Sequence, residues 1–576
     1  MSPPRALRAL RAHPRGLAAC ALSGVMTFMA FPNAWSPELN LWWLMWVSHV
    51  PVTLWLLDER AGPALGAPGA ARWGFWWGYL CGFIINTGGY YWIAELAETF
   101  GHLPPAVSNL VLLLHSALVG LIWGVWGALV RALGGRVDVA WLSPVAMVAA
   151  EHFMPRVFPA YMGDCQQPFL PIMQVADLFG VSAVTFVLYR VNAELALSWR
   201  ARGEGAEGWW RARRGSLKAT GALFGLTLLY GLARIPMVDA EVAAAPKLRV
   251  GVVEPDIGIF EAEPADRRRD HLLVLQRLSQ RAVEEGAELL VWSESAYRAG
   301  TLPGDARRLP PSDAPLAASW REDEARRTPR ADRAAPQRGF RAPLLMGAGA
   351  VEVDEATRER RYYNSAWLLS ADGDVLGRYD KIVRLVFGEY IPFGDTFPVF
   401  YKWLPSASRL ERGEGVRALT LPLADGGEAR LGVLICYEGI LPGFARDVFD
   451  LNPDLLVNIT NDAWFGLSAE RYLHFALALP RAIESRRAFV RATLNGVSAV
   501  VDPVGRIVDW TRPTGEEVIV RDVPLMRPWT LYQVIGDALA WGCALVALAW
   551  AAAGRWRGGR APKALAPDVA PAGEGP

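Results

Sequence analysis

A break in texture near residue 240 constrains this chain more than any other feature. Up to Ile235 the sequence is a succession of apolar stretches, each about 17–25 residues and so long enough to cross a bilayer. From Leu248 to Met526 short apolar runs alternate with charged segments, the pattern of a water-soluble α/β domain. A last apolar run at 530–551 precedes a tail rich in Gly, Pro and Ala. Membrane spans are expected at 16–34, 39–57, 73–94, 105–130, 138–155, 171–190, 217–235 and 530–551, the fifth interrupted by Pro144 and bounded by Pro155. The expected organisation is a helical bundle over 1–240, a catalytic domain over 247–526, one further span, and a disordered tail over 552–576.

Basic residues set the orientation. Arg5, Arg8, Arg11 and Arg15 precede the first span, Arg60 and Arg72 fill the second loop, and Arg131 and Arg136 fill the fourth. The sixth loop carries Arg200, Arg202, Arg211, Arg213, Arg214 and Lys218, and the tail carries Arg555, Arg557, Arg560 and Lys563. The first and third loops have none and the fifth has Arg156 alone. Arg and Lys accumulate on the cytoplasmic side, so both termini are expected there and seven crossings deliver the soluble domain to the opposite face. The first span is flanked like a signal peptide but lacks a small-residue cleavage site, and it reads as a retained anchor.

Composition removes several classes of function. At 52% hydrophobic and 20% charged the chain is too apolar for disorder. Its 59 basic and 58 acidic residues leave a net charge of +1, which argues against nucleic-acid binding. Cys20, Cys81, Cys165, Cys436 and Cys543 form no CxxC pair, so neither a zinc site nor a disulfide framework is indicated, and seven His with no HxxxH or HExxH motif argue against a His-built metal site. Within the apolar part Glu95, Glu98, Glu151 and His152 fall near span ends, which suits an anchoring bundle better than a transporter. Only five of the 59 basic residues are Lys, leaving 54 Arg, so each Lys stands out.

Four segments of the soluble region read as buried strands running into loops: 248–253, 288–294, 431–436 and 454–460. Helical patterns cover 270–285 and 473–489. Glu294, Cys436 and Asn461 follow apolar runs, where α/β folds present functional groups. A lone Cys at a strand end is commonly a small core hydrophobe. As a nucleophile it needs a base and a donor for the oxyanion. No His is well placed in the sequence; Glu294 can serve as the base and Lys381 as the positive charge.

Glu294 in Trp-Ser-Glu-Ser, Lys381 in Arg-Tyr-Asp-Lys and Cys436 in Ile-Cys-Tyr-Glu occur in the order and contexts of a Glu–Lys–Cys triad. In this the soluble region resembles the nitrilase superfamily, which implies an αββα sandwich. Joined to a bundle of about eight transmembrane helices, residues 15–552 resemble the bacterial apolipoprotein N-acyltransferase family. Phe387–Gly394, Asn461–Gly466, Thr493–Ser498 and Gln174–Gly180 add to the likeness. The resemblance implies acyl transfer from a phospholipid to the amine of a diacylglyceryl-modified apolipoprotein, through a Cys436 thioester and without a cofactor. It also implies a monomer in the bacterial inner membrane with a periplasmic catalytic domain, and supporting roles for Glu389, Tyr437 and Glu438. Asn461-Asp-Ala-Trp464 is expected to be scaffold, and the other four cysteines to pack in the bundle.

Two segments depart from the family pattern. Residues 258–263 have Phe260 but no Trp, and Val157–Tyr161 also lacks the usual Trp. The stretch 305–341, dense in Arg, Pro and Asp, reads as a solvated insertion. A membrane-tethered amidase and a catalytically inactive scaffold are the alternative functions.

Overall fold

The computed structural model describes residues 13–35, 41–202, 205–258, 265–309, 334–354, 356–404 and 407–558. Phe260, residues 310–333 of the expected insertion and 559–576 of the tail lie outside the described residues.

Among the described residues the regular elements of the N-terminal region are all helices. Its closest helix pair is Ala70–Gly89 against Pro105–Leu133. Gly74 and Gly78 sit against the backbone carbonyls of Gly127 and Trp123, where an added Cβ would lie 2.2 and 2.0 Å from the oxygens. Small residues at a helix crossing let backbones approach this closely, as membrane helices require when lipid supplies no hydrophobic drive. Two described helices, Pro105–Leu133 and Gly208–Ala244, are long and apolar enough to cross a membrane by length and composition.

Other expected spans are interrupted. The 39–57 stretch divides into a 3-10 turn, Trp42–Trp46, and a helix, Val50–Leu57, with Pro51 in its first turn. The 171–190 stretch is two one-turn helices, Leu170–Met173 and Ala176–Phe179, followed by Ser182–Ala201. Its break falls at Gly180, whose φ of +67° no helix interior accommodates. The last run is likewise divided at Gly536, φ +56°, into Leu531–Ile535 and Ala538–Gly558. The second of these helices continues past residue 552, where the tail was expected to begin.

The soluble domain is a two-sheet sandwich. In one sheet the strand order is Glu517–Pro524, Lys247–Glu254, Leu289–Val291, Leu344–Val353, Arg360–Leu369 and Val375–Asp380, with Tyr297–Pro303 paired to Leu344–Val353; in the other it is Ile507–Trp510, Ala499–Val501, Phe489–Thr493, Leu455–Thr460, Glu428–Ile435 and Ala418–Pro422. The strands that position the site are β2 (Leu289–Val291), β4 (Leu344–Val353), β5 (Arg360–Leu369), β6 (Val375–Asp380), β8 (Glu428–Ile435), β9 (Leu455–Thr460) and β10 (Phe489–Thr493). Alternate residues such as Val250, Val252, Leu345, Val433, Ile435 and Val457 form the core between the sheets. The outer face of the first sheet packs on the helix Ala265–Glu284 through Leu272, Leu275 and Trp292. The second sheet carries Pro442–Phe449, Glu470–Ala478 and Pro480–Ser485, and this layer shares one continuous apolar core with the bundle. This is the expected αββα arrangement. The single helix expected over 473–489 is instead two helices and the start of β10, because Pro480 opens a new helix.

Candidate active site

The sandwich brings three sequence-distant segments to one end. β2 is shorter than expected, so Glu294 lies in the loop beyond it, followed by Ser295 at φ +55°. β4 passes this loop so closely that a Cβ on Gly347 would lie 2.4 Å from the Ser293 carbonyl oxygen. β8 ends at Ile435, and Cys436 begins a 3-10 turn with φ +52°. Left-handed backbone at a side chain other than glycine costs about 1–3 kcal/mol and concentrates at functional sites. Lys381 directly follows β6.

Glu294, Lys381 and Cys436 are 4, 2 and 7% exposed, so their charges act on one another with little screening. Lys381 Nζ donates to Glu294 Oε1 at 3.2 Å and to Glu389 Oε1 at 2.9 Å. An ammonium has three N–H groups, so this pairing leaves one for substrate. Asn364 Nδ2 donates to the same two oxygens at 2.6 and 2.9 Å. Glu294 Oε2 is buried without a hydrogen-bond partner among the described residues. One carboxylate oxygen is therefore fixed and the other is open to accept a proton.

Burial pushes the Cys436 thiol up to about 12, with the Glu294 carboxylate adding to the rise and Lys381 opposing it. At neutral pH the resting group is a thiol, and nucleophilic attack requires transfer of its proton. Burial works against the Lys381 charge, but Glu294 and Glu389 outweigh it and hold the ammonium well above its ordinary range.

The supporting residues have separate jobs. Glu389 Oε2 accepts from the Leu385 amide at 2.8 Å, tying its own loop to the site. Glu438 accepts from the amides of Ile382 (2.7 Å), Val383 (3.0 Å) and Ile435 (2.8 Å), and from the Tyr379 hydroxyl at 2.9 Å. It thus braces the residues after Lys381 against the residue before Cys436. Tyr437 turns away from the triad; its hydroxyl donates to the Val157 carbonyl, and its ring meets Phe158 edge-on at 6.0 Å. A cavity of about 40 Å³ lined by Phe28, Ile85, Tyr90, Trp123, Phe158 and Leu473 lies between the bundle and the catalytic domain.

Asn461 caps the following turn by accepting from the Ala463 amide at 3.2 Å. Asp462 bonds Arg491 at 2.7 Å and His474 at 2.8 Å; against its burial these two hold its carboxyl down at about 2. These bonds tie the segment to β10 through Arg491 and to the helix Glu470–Ala478 through His474. Cys20, Cys81, Cys165 and Cys543 are buried free thiols. Asn364 and Tyr379 went unremarked in the sequence, although the polar Asn364 leading into the apolar end of β5 was a usable signal. Among the described residues no group of three or more His, Cys, Asp or Glu could hold a metal ion.

Replacing Lys381 by Arg would keep the charge but put a planar fork where a compact ammonium touches two carboxylates. The expected loss is about 100-fold in turnover, as for removal of one oxyanion donor; near-normal turnover would reduce Lys381 to a source of long-range charge.

Comparison with known proteins covers both halves. Residues 257–529 match the carbon-nitrogen hydrolase family, and residues 23–194 match the apolipoprotein N-acyltransferase N-terminal domain. The apolipoprotein N-acyltransferase of Geobacter metallireducens is 31% identical over 528 residues, covering 91% of this chain and 92% of that protein. That of Bdellovibrio bacteriovorus is 30% identical over 502 residues, 83% of each. A solved nitrilase-superfamily amidase from Nesterenkonia has 20% identity and a TM-score of 0.32, covering 49% of this chain and 93% of that one.

Proposed function

Because the chain belongs to the apolipoprotein N-acyltransferase family, we propose that Cys436, Glu294 and Lys381 carry an acyl group from a phospholipid to a lipoprotein amine. The enzyme is an acyltransferase of lipoprotein maturation. The observation that carries the residue assignment is the free, buried Glu294 Oε2 on a carboxylate whose other oxygen is pinned by Lys381 and Asn364.

In the first half-reaction the Cys436 proton passes to Glu294 Oε2 as sulfur attacks the phospholipid ester carbonyl. The third Lys381 N–H stabilises the developing oxyanion. The C–O bond then breaks, the glycerol oxygen takes the proton back from Glu294, and a lysophospholipid leaves. In the second half the α-amine of a diacylglyceryl-cysteine attacks the thioester. Glu294 takes an amine proton, the C–S bond breaks, and the sulfur recovers that proton. The thioester retains reactivity toward an amine that an oxygen ester would lack.

The membrane placement follows the charge pattern. Eight crossings, cytoplasmic termini and a periplasmic catalytic domain in a bacterial inner membrane account for the alternation of Arg-rich and Arg-free loops. The working units are the bundle at 1–240, the catalytic domain at 247–526 and the span at 530–551, acting as a monomer. The full-length enzyme should release about one equivalent of lysophospholipid from phosphatidylethanolamine alone, and sustained release should require a diacylglyceryl-cysteine peptide, which it acylates. Hydrolysis of a small amide without phospholipid turnover would replace this reading by that of a tethered amidase.

A further inference from the structure

The segment Gln174–Gly180 takes no part in the chemistry above, yet it grips the catalytic domain. Arg486 closes the helix Pro480–Ser485 in left-handed backbone, φ +54°, with its side chain fully buried. Its Nε donates to Asp177 Oδ2 at 2.9 Å, and its Nη1 to Gln174 Oε1 at 2.5 Å. Nη2 reaches the Gln174 carbonyl at 3.1 Å. Gln174 Nε2 in turn donates to the Val504 carbonyl at 2.9 Å. Asp177 is shared with the long helix Gly205–Ala244, accepting from Tyr230 at 2.7 Å and from Arg234 at 3.1 Å. A buried ion pair adds little net stability over an apolar contact, but its fixed geometry can specify one arrangement of the parts it joins. Both charges here are bonded in several directions at once, so the domains meet in one register.

Two other contacts stand apart from this one. Tyr437, next to the nucleophile, donates to the Val157 carbonyl, and the Ala469 amide donates to Tyr91 at 3.0 Å. With the Arg506–Asp239 pair, at 2.6 Å, and the apolar core the two parts share, these separated contacts fix one rigid body on another. We infer that the Gln174–Asp177–Arg486 cluster is a positioning lock that sets the height and tilt of the catalytic domain over the bundle. With the lock closed, Cys436 meets the ester carbonyl of a phospholipid still seated in the bilayer. That carbonyl lies at a fixed depth, whereas a water-soluble ester can follow a displaced thiol. The inference rests on the acyl-transfer reading above.

The test uses the full-length enzyme, two variants and two acyl donors. Arg486→Lys keeps the charge but cannot span Asp177 and Gln174 together; Gln174→Met leaves the ion pair intact and carries the test should the first variant not fold. Cys436 acylation is followed with phosphatidylethanolamine and, separately, with p-nitrophenyl acetate. A displacement of order 1 Å costs up to about 100-fold, so phospholipid acylation should fall at least about tenfold in Arg486→Lys and about threefold in Gln174→Met. With p-nitrophenyl acetate both should stay within about twofold of wild type, since the triad itself is untouched. Equal losses with both donors, or no loss with either, would overturn the lock. A wild-type enzyme acylated by neither donor would contradict the acyl-transfer reading itself, and the lock with it.

Discussion

Cys436→Ala is expected to form no acyl adduct and to release no lysophospholipid, with the fold intact. The side chain is small and sits at the end of β8, where its hydrogen bond is to the Thr460 side chain, while its neighbour Glu438 makes the bracing contacts. Removing a nucleophile that acts as a unit with its base costs about a thousandfold or more. Cys436→Ser separates the half-reactions. A hydroxyl ionises far less readily than a thiol, so an oxygen ester should form slowly. That ester is a poor acyl donor to an amine, and acyl-enzyme should accumulate without N-acylated product. The readout is intact protein mass alongside lysophospholipid and N-acyl peptide. Wild-type turnover by Cys436→Ser would show that ionisation of the nucleophile does not limit the reaction.

Glu294→Gln should cut Cys436 acylation by about 100- to 10,000-fold, the usual range for a lost general base. The Gln carbonyl can still accept from Lys381 and Asn364, which leaves an NH₂ group where Oε2 now stands free. That group offers no lone pair to the thiol proton. A second measurement distinguishes a lost base from a damaged site. Burial and then the Glu294 charge raise the thiol to about 12, so removing the charge moves its titration to lower pH. At any pH below that titration the variant holds more thiolate, and iodoacetamide should alkylate Cys436 at least as fast as in wild type. Acylation and alkylation falling together would make Glu294 a packing residue.

The chemistry of this site was legible because it is written at strand ends. Glu294 and Cys436 each close an apolar run, Lys381 is one of only five lysines and follows β6, and the sandwich brings the three together. What was less legible depended on contacts distant in sequence. Arg486 lies 309 positions from its partner Asp177, and nothing local indicates that an Arg after a short helix is buried against the bundle. Tyr437 and Glu438 are adjacent to the nucleophile, but the 3-10 turn sends one toward Val157 and the other beneath the Lys381 loop. The eight apolar runs mark where the chain is membrane-like, not where helices break. Pro51, Gly180 and Gly536 decide that, and each break becomes intelligible only beside its neighbours, as Gly180 does against the Tyr532 ring, 2.6 Å from where its Cβ would stand.

The central claim is that the acyl group rests covalently on Cys436 between two substrates. Wild-type enzyme exposed to a phospholipid of one defined acyl chain, freed of excess donor and measured by intact mass, should gain the mass of that acyl group at Cys436. Adding a diacylglyceryl-cysteine peptide should then remove the adduct and produce an equal amount of N-acylated peptide. N-acylated peptide formed at the normal rate by Cys436→Ala would contradict the covalent account outright.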